Sequence, residues 1–267
     1  MLEIEWVLLF LLLGAFIGFM AGLLGIGGGG IMVPVLTSIF LYQGVPVEKV
    51  VHLALGTSMA SIVVTAISSL RAHNAKNGVI WKIVKRMAGG IILGAFLATY
   101  LVSYLSSVYL AIFFAIFMAY VSLQMFLNKR PKPNRVLAGS SGLFMAGSGI
   151  GAISALVSIG GGSLTVPYLA WQNIEIKKAI GTSAAIGLPL SIAGTLGYLI
   201  NGWSTSSPQE YILGYVYLPA VLLISATSFF TAPYGAKLAH ALPVVILKKI
   251  FAVLLIILSI KMLASVI

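Results

Sequence analysis

Cysteine is absent from all 267 residues. That excludes disulfides, thiolate metal sites and any relay of a sulfur atom through a protein thiol. Acid is scarce too: five Asp and Glu stand against sixteen Lys and Arg, and charged residues make up only 8% of the chain. A soluble domain carries about 25%. Apolar residues fill the place of the missing charge, at 60% of the chain with a mean hydropathy of +1.10. Several apolar runs exceed the roughly 20 residues that a spanning helix needs. The chain reads as an all-α, polytopic membrane protein. None of its acids falls inside an apolar run, so neither a carboxylate proton relay nor a carboxylate-lined cation site is on offer.

The net charge of +11 does not indicate nucleic acid as a partner, because nearly all the cations lie in or beside short loops between apolar segments. Basic loops in that setting mark cytoplasmic connections. The first segment, Trp6 to Leu24, is preceded by Glu3 and Glu5 and by no Lys or Arg. It lacks the basic start of a signal peptide and is expected to remain in the protein.

Apolar blocks run at 6–42, 50–70, 83–105 and 107–127, and again at 136–172, 179–201, 211–234 and 244–265. Between the two series lies NKRPKPNR, Asn128 to Arg135, whose two prolines suit a linker. The expected division is a first transmembrane repeat at 1–127, a cytoplasmic linker at 128–135 and a second repeat at 136–267. Duplicated motifs support it. At an offset of 133, Ile26-Gly27-Gly28-Gly29 matches Ile159-Gly160-Gly161-Gly162, and Val33-Pro34 matches Val166-Pro167. Further on, Gly56-Thr57-Ser58 matches Gly181-Thr182-Ser183.

Four glycines in a row break a helix. If each glycine block is a hairpin, each half crosses five times, and an odd number of crossings inverts the second half. Fourteen of the sixteen cations then fall on the cytoplasmic side, leaving only Lys49 and Lys261 outside. Treating each block as one crossing gives parallel repeats and divides the cations ten to six. The positive-inside rule favours inverted repeats built from glycine-broken hairpins, with both termini outside. Leu164 to Gln172 is too short to cross the hydrocarbon, so a re-entrant half-helix is the alternative for the returning piece.

Irregular backbone at membrane depth is tolerated where it is buried in protein or lines a cavity. A helix starting after such a break directs free N–H groups and its positive dipole end at the break. Pro34 and Pro167 are expected in the first turn of that helix, where a missing N–H costs nothing. Two such ends make a binding site for a small anion. The candidate substrate-binding residues are Gly27, Gly28, Gly29 and Gly30 in the first copy and Gly160, Gly161, Gly162 and Ser163 in the second. Thr57, Ser58, Thr182 and Ser183, expected near helix starts, add hydroxyl donors. The competing reading of the glycines is close helix packing, and that of the hydroxyls is bonding to their own helix backbone. His52, near a helix end, is a candidate proton or gating residue, and Arg71 a candidate for drawing anions to a basic mouth. No metal or cofactor is called for.

The expected function is secondary transport of a small anion by alternating access around a mid-membrane site, with protons or the membrane potential as the candidate coupling. A passive anion channel is the alternative. An intramembrane enzyme, with Ser148, Ser158, Ser163 or Ser183 as nucleophile and His240 as base, leaves the duplicated element without a purpose.

The chain resembles the TauE/SafE family of sulfite and organosulfonate exporters. The resemblance is carried by the IGGG…VP elements at 25–34 and 158–167, the GTS triplets, RAHNAKNGVIWK at 71–82 and APYGAKLAH at 232–240. It implies transport of small sulfur oxyanions, sulfonates or related carboxylates across a bacterial or archaeal plasma membrane. Ser158 and Ser163 stand where the first copy has Gly25 and Gly30, so the two half-sites are unequal.

Overall fold

Two long helices cross at the centre of the molecule and the others wrap them. They are α3 (Val47–Asn74) and α8 (Ile176–Asn201), in a computed structural model that describes residues 3–24, 28–127, 136–207, 210–238 and 245–267. Of α3's apolar window 83% is buried, against 33% for α5 (Ser107–Leu127) and α9 (Leu218–Leu238). The outer helices therefore turn most of their apolar surface outward, as lipid-facing helices must. The remaining helices are α1 (Ile4–Leu24), α2 (Gly29–Tyr42), α4 (Trp81–Val102), α6 (Ser140–Leu156), α7 (Gly162–Trp171) and α10 (Val245–Val266). Seven of the helices among the described residues are long and apolar enough to span a membrane. The only sheet among those residues is the two-stranded hairpin of β1 (Ile212–Leu213) and β2 (Val216–Tyr217), just before α9. The protein is an all-α polytopic membrane protein.

Both glycine blocks fold as hairpins. The α1–α2 pair returns to the end where it began: Trp6, in the first turn of α1, lies 5.5 Å ring to ring from Tyr42, the last residue of α2. The α6–α7 pair does the same, since the Ala138 N–H donates to the Gln172 side-chain oxygen at 3.2 Å. At 1.5 Å per residue, α2 is about 21 Å long and α7 about 15 Å. Both fall short of the roughly 30 Å hydrocarbon core, so the returning pieces have the length of re-entrant half-helices.

The helix pairings repeat across the halves. α1 packs on α9 and α6 on α4; α3 touches α9 and α8 touches α4; α3 meets α8 and α5 meets α10. The first of these contacts are made at glycine. A Cβ on Gly22 of α1 would fall on the Ala232 carbonyl of α9, and one on Gly94 of α4 on the Ser148 carbonyl of α6. Helices associate in lipid by such close approach rather than by hydrophobic burial. Close packing at glycine thus occurs at these positions outside the glycine runs, while each run separates two helices.

Two expectations on helix position change. Pro34 and Pro167 are each the sixth residue of their short helices, not in the first turn. Gly28 (φ 76°) and Gly161 (φ 77°) adopt the left-handed conformation as N-caps, so each helix starts at the very next residue and the prolines fall one turn further on. Their missing N–H groups leave the carbonyls of Gly30 and Ser163 without the i+4 partner. The GTS triplets also lie well inside α3 and α8 rather than near their starts, because α3 opens at Val47 and α8 at Ile176. The 128–135 linker lies outside the described residues.

Candidate functional site

The sequence places the two glycine breaks 133 residues apart, and the fold brings them into contact. Gly29, first residue of α2, lies so close to the Ser158 carbonyl that a Cβ there would overlap it, and the same Cβ would lie 3.3 Å from Ile62 of α3. Gly160 lines a small central cavity of about 20 Å³ together with Ala21 of α1, Thr65 and Ser69 of α3, and Ala184 and Gly187 of α8. That volume holds about one water. An oxyanion needs more room, so occupancy requires the helices around the cavity to part.

Each short helix opens on a glycine N-cap with no side-chain cap. Among the described residues the first N–H groups of α2 and α7, at Gly29, Gly30, Gly162 and Ser163, make no backbone hydrogen bond. Around them, the hydroxyls of Ser158, Ser163 and Thr165 are buried and make no hydrogen bond among the described residues, and the same holds for those of Ser58 and Ser183 in the central helices. Buried hydroxyls without partners are costly, and a ligand or water is the usual remedy. Ser158 is itself held at φ 48°, a left-handed conformation uncommon for serine. Among the described residues no three His, Cys, Asp or Glu side chains converge to hold a metal.

The other candidates are dispersed. A Cβ on Gly28 would press on Ile17 of α1, one on Gly30 would lie 3.0 Å from Leu255 of α10 and 3.2 Å from Met118 of α5, and one on Gly161 3.3 Å from Leu190. Thr57 and Thr182 use their hydroxyl oxygens to accept backbone N–H groups of Tyr217 (2.9 Å) and Ile80 (3.0 Å). Arg71 is exposed in the last turn of α3. Gly27 and His240 lie outside the described residues.

His52 is buried at the opposite end of α3 from Arg71. Its Nε2 lies 3.1 Å from the Val102 carbonyl and 3.0 Å from that of Leu105, so the Nε2–H tautomer donates to the turn between α4 and α5. Ser107 donates to the Glu48 carbonyl at 2.7 Å, and Tyr215 packs on the imidazole at 5.0 Å. This is a staple between α3 and the α4–α5 turn. His52→Ala is expected to lower stability by about 1 kcal/mol, because the half-buried Leu105 carbonyl loses the imidazole N–H while that of Val102 keeps only the Leu105 N–H, and to leave the pH dependence of flux unchanged. Thermal melts in detergent and pH–flux curves check both halves; an altered pH profile would restore His52 as a proton carrier.

Sequence reasoning missed Thr65 and Ser69 as cavity residues. The signal was present: Ser58, Ile62, Thr65 and Ser69 recur at i, i+4, i+7 and i+11, which is one face of a helix. That face turns to the cavity and the breaks. Thr165 was passed over inside the second motif.

The sulfite exporter TauE/SafE family model matches residues 10–262, and the chain belongs to that family. A "probable membrane transporter protein" of Haemophilus influenzae is 41% identical over 96% of this chain and 98% of its own length. One from Methanocaldococcus jannaschii is 28% identical over 89% of both chains. A third, from Bacillus subtilis, is 24% identical over 90% of this chain and 94% of its own. No solved structure matches the chain. A membrane transporter is what the family and these relatives indicate.

Proposed function

We propose that this protein is a secondary transporter of a small anion, of the sulfur oxyanion or organosulfonate class, bound where the two glycine breaks meet. The observation that carries the reading is the meeting itself: two half-helix N-termini, each capped by a left-handed glycine, among buried hydroxyls that have no partner among the described residues. N–H groups and hydroxyls suit an anion, and the dipole ends of two half-helices add partial positive charge. The family name supports sulfite as the first substrate to try.

The architecture proposed is two inverted repeats, 1–127 and 136–267, moving against each other in a prokaryotic plasma membrane. A hairpin that returns to its own side adds either no crossing or two, so each half keeps an odd number and the second is inverted in both cases. The exchange of partners between α1–α9 and α4–α6 supports equivalent halves. The basic end holds Arg71, Lys76, Lys82, Lys177 and Lys178 around the α3–α4 loop and the start of α8, as a cytoplasmic face would. Single cysteines replacing Lys82 and Tyr104 are expected to react with an impermeant thiol reagent from opposite sides of the membrane. Reaction of both from one side would remove the topology.

The deciding experiment is flux of radiolabelled sulfite, methanesulfonate and thiosulfate into proteoliposomes, with imposed pH gradients and potentials. The expected outcome is saturable uptake that responds to one gradient. Uptake that rises linearly with concentration would identify a channel, and no uptake of any of the three would remove the substrate class.

A further inference from the structure

Each GTS triplet grips a loop belonging to the other half. The Thr57 hydroxyl of α3 accepts the N–H of Tyr217, the residue immediately before α9. The Thr182 hydroxyl of α8 accepts the N–H of Ile80, the residue immediately before α4. One residue before each threonine a glycine presses on a carbonyl: Gly56 on that of Tyr215, Gly181 on that of Gly78. Each of those carbonyls lies two residues before the gripped N–H. Three residues before it, Asn77 (φ 54°) and Gly214 (φ 57°) share the left-handed conformation. The same clamp is therefore built twice, although one loop is a short coil and the other a β-hairpin.

The clamps lie on opposite sides of the central cavity. Along α3 the order is Lys49 and Leu53, which line an open vestibule of about 760 Å³, then Thr57, then the cavity residues Thr65 and Ser69. The vestibule also takes in Phe40 and Tyr217, and the Tyr217 ring stands edge-on to Phe40 at 5.6 Å, with Phe10 at 6.3 Å. Thr57 thus fastens an aromatic floor between vestibule and cavity. Along α8 the order is Lys177 and Lys178 at the basic end, then Thr182, then the cavity residues Ala184 and Gly187.

We propose that Thr57 and Thr182 are positioning residues of two gates. Release of Thr57 from Tyr217 opens the cavity toward the vestibule, and release of Thr182 from Ile80 opens it toward the basic end. The inference rests on the carrier reading above. A neutral hydroxyl–amide bond suits the task, since its net contribution is small enough to be broken in each cycle and large enough to bias a population.

The chain's lack of cysteine makes the test direct. A cysteine at Ser69 is probed with a cationic, membrane-impermeant methanethiosulfonate, applied separately from the Glu210 face and the Lys82 face. Thr57→Val is expected to speed labelling from the Glu210 face by about five-fold, the scale of one lost hydrogen bond, and not from the Lys82 face. Thr182→Val is expected to do the reverse. Thr57→Ser and Thr182→Ser keep the hydroxyl and are expected to label as the parent does. Gly56→Ala and Gly181→Ala, which push the same loops away without touching the threonines, are expected to repeat the face-specific pattern if a valine variant fails to fold. Equal acceleration from both faces, no change from either, or failure of serine to rescue would overturn the proposal. Labelling needs no substrate. Face-specific gating without flux of the three sulfur anions would sink the substrate class alone, and saturable flux without face-specific gating would sink the clamps alone.

Discussion

Gly29→Ala is expected to cut anion flux by about 100-fold, the scale seen when a preorganised group is displaced by ~1 Å, while the protein still inserts and purifies as a single species. The reason is steric. The added Cβ would overlap the Ser158 carbonyl, a backbone atom that cannot swing aside as the tip of a side chain can. The N-terminus of α2 must then back away from the second break, and the two breaks no longer touch. Gly161→Ala acts differently: its Cβ would press only on the tip of the Leu190 side chain, at 3.3 Å, which can give way, but alanine at φ 77° costs about 1–2 kcal/mol, which shifts the start of α7. Gly149→Ala on α6, where a Cβ meets nothing within 4 Å, serves as the control and is expected to transport normally. Normal flux in Gly29→Ala would show that the breaks need not touch, and would remove the proposed site.

The second large effect is expected on stability. Gly22→Ala and Gly94→Ala each place a methyl group on a carbonyl of the facing helix, Ala232 in one case and Ser148 in the other. Overpacking of this kind costs about 1–3 kcal/mol. The two sites lie in different interfaces, α1 on α9 and α4 on α6, so the double variant is expected to lose about 2–6 kcal/mol, close to the sum of the singles. That is a large part of an ordinary folding free energy. Thermal midpoints in detergent read the result. A double variant no less stable than either single would mean that the interfaces have room the structure does not show.

Much of this was legible in the chain. The hairpins could be read because four consecutive glycines cannot continue a helix in lipid, and because the cation count fell into place only with a returning segment. The short return at 164–172 pointed to a half-helix for the same reason of length. The inequality of the breaks was also visible, in Ser158 and Ser163. The roles of the GTS triplets were not: a threonine within an apolar helix looks the same whether it faces a ligand, its own backbone or a distant loop. Nor did the sequence say that Gly30 faces Leu255 and Met118 rather than the cavity, since consecutive glycines carry no apolar or polar face to read.

The sequence by itself determined the class, the helices, their interruptions and the sign of each loop. These depend on local quantities: the length of apolar runs, the loss of helix at consecutive glycines, and the placing of cations relative to a bilayer. Tertiary structure decided which break meets which, where the hydroxyls end, and that Thr57 and Thr182 hold loops from opposite halves. Those contacts join residues more than 100 positions apart. Lipid offers little hydrophobic drive to bring such residues together, so small-residue packing and hydrogen-bond geometry select the partners, and both exist only once the helices have assembled.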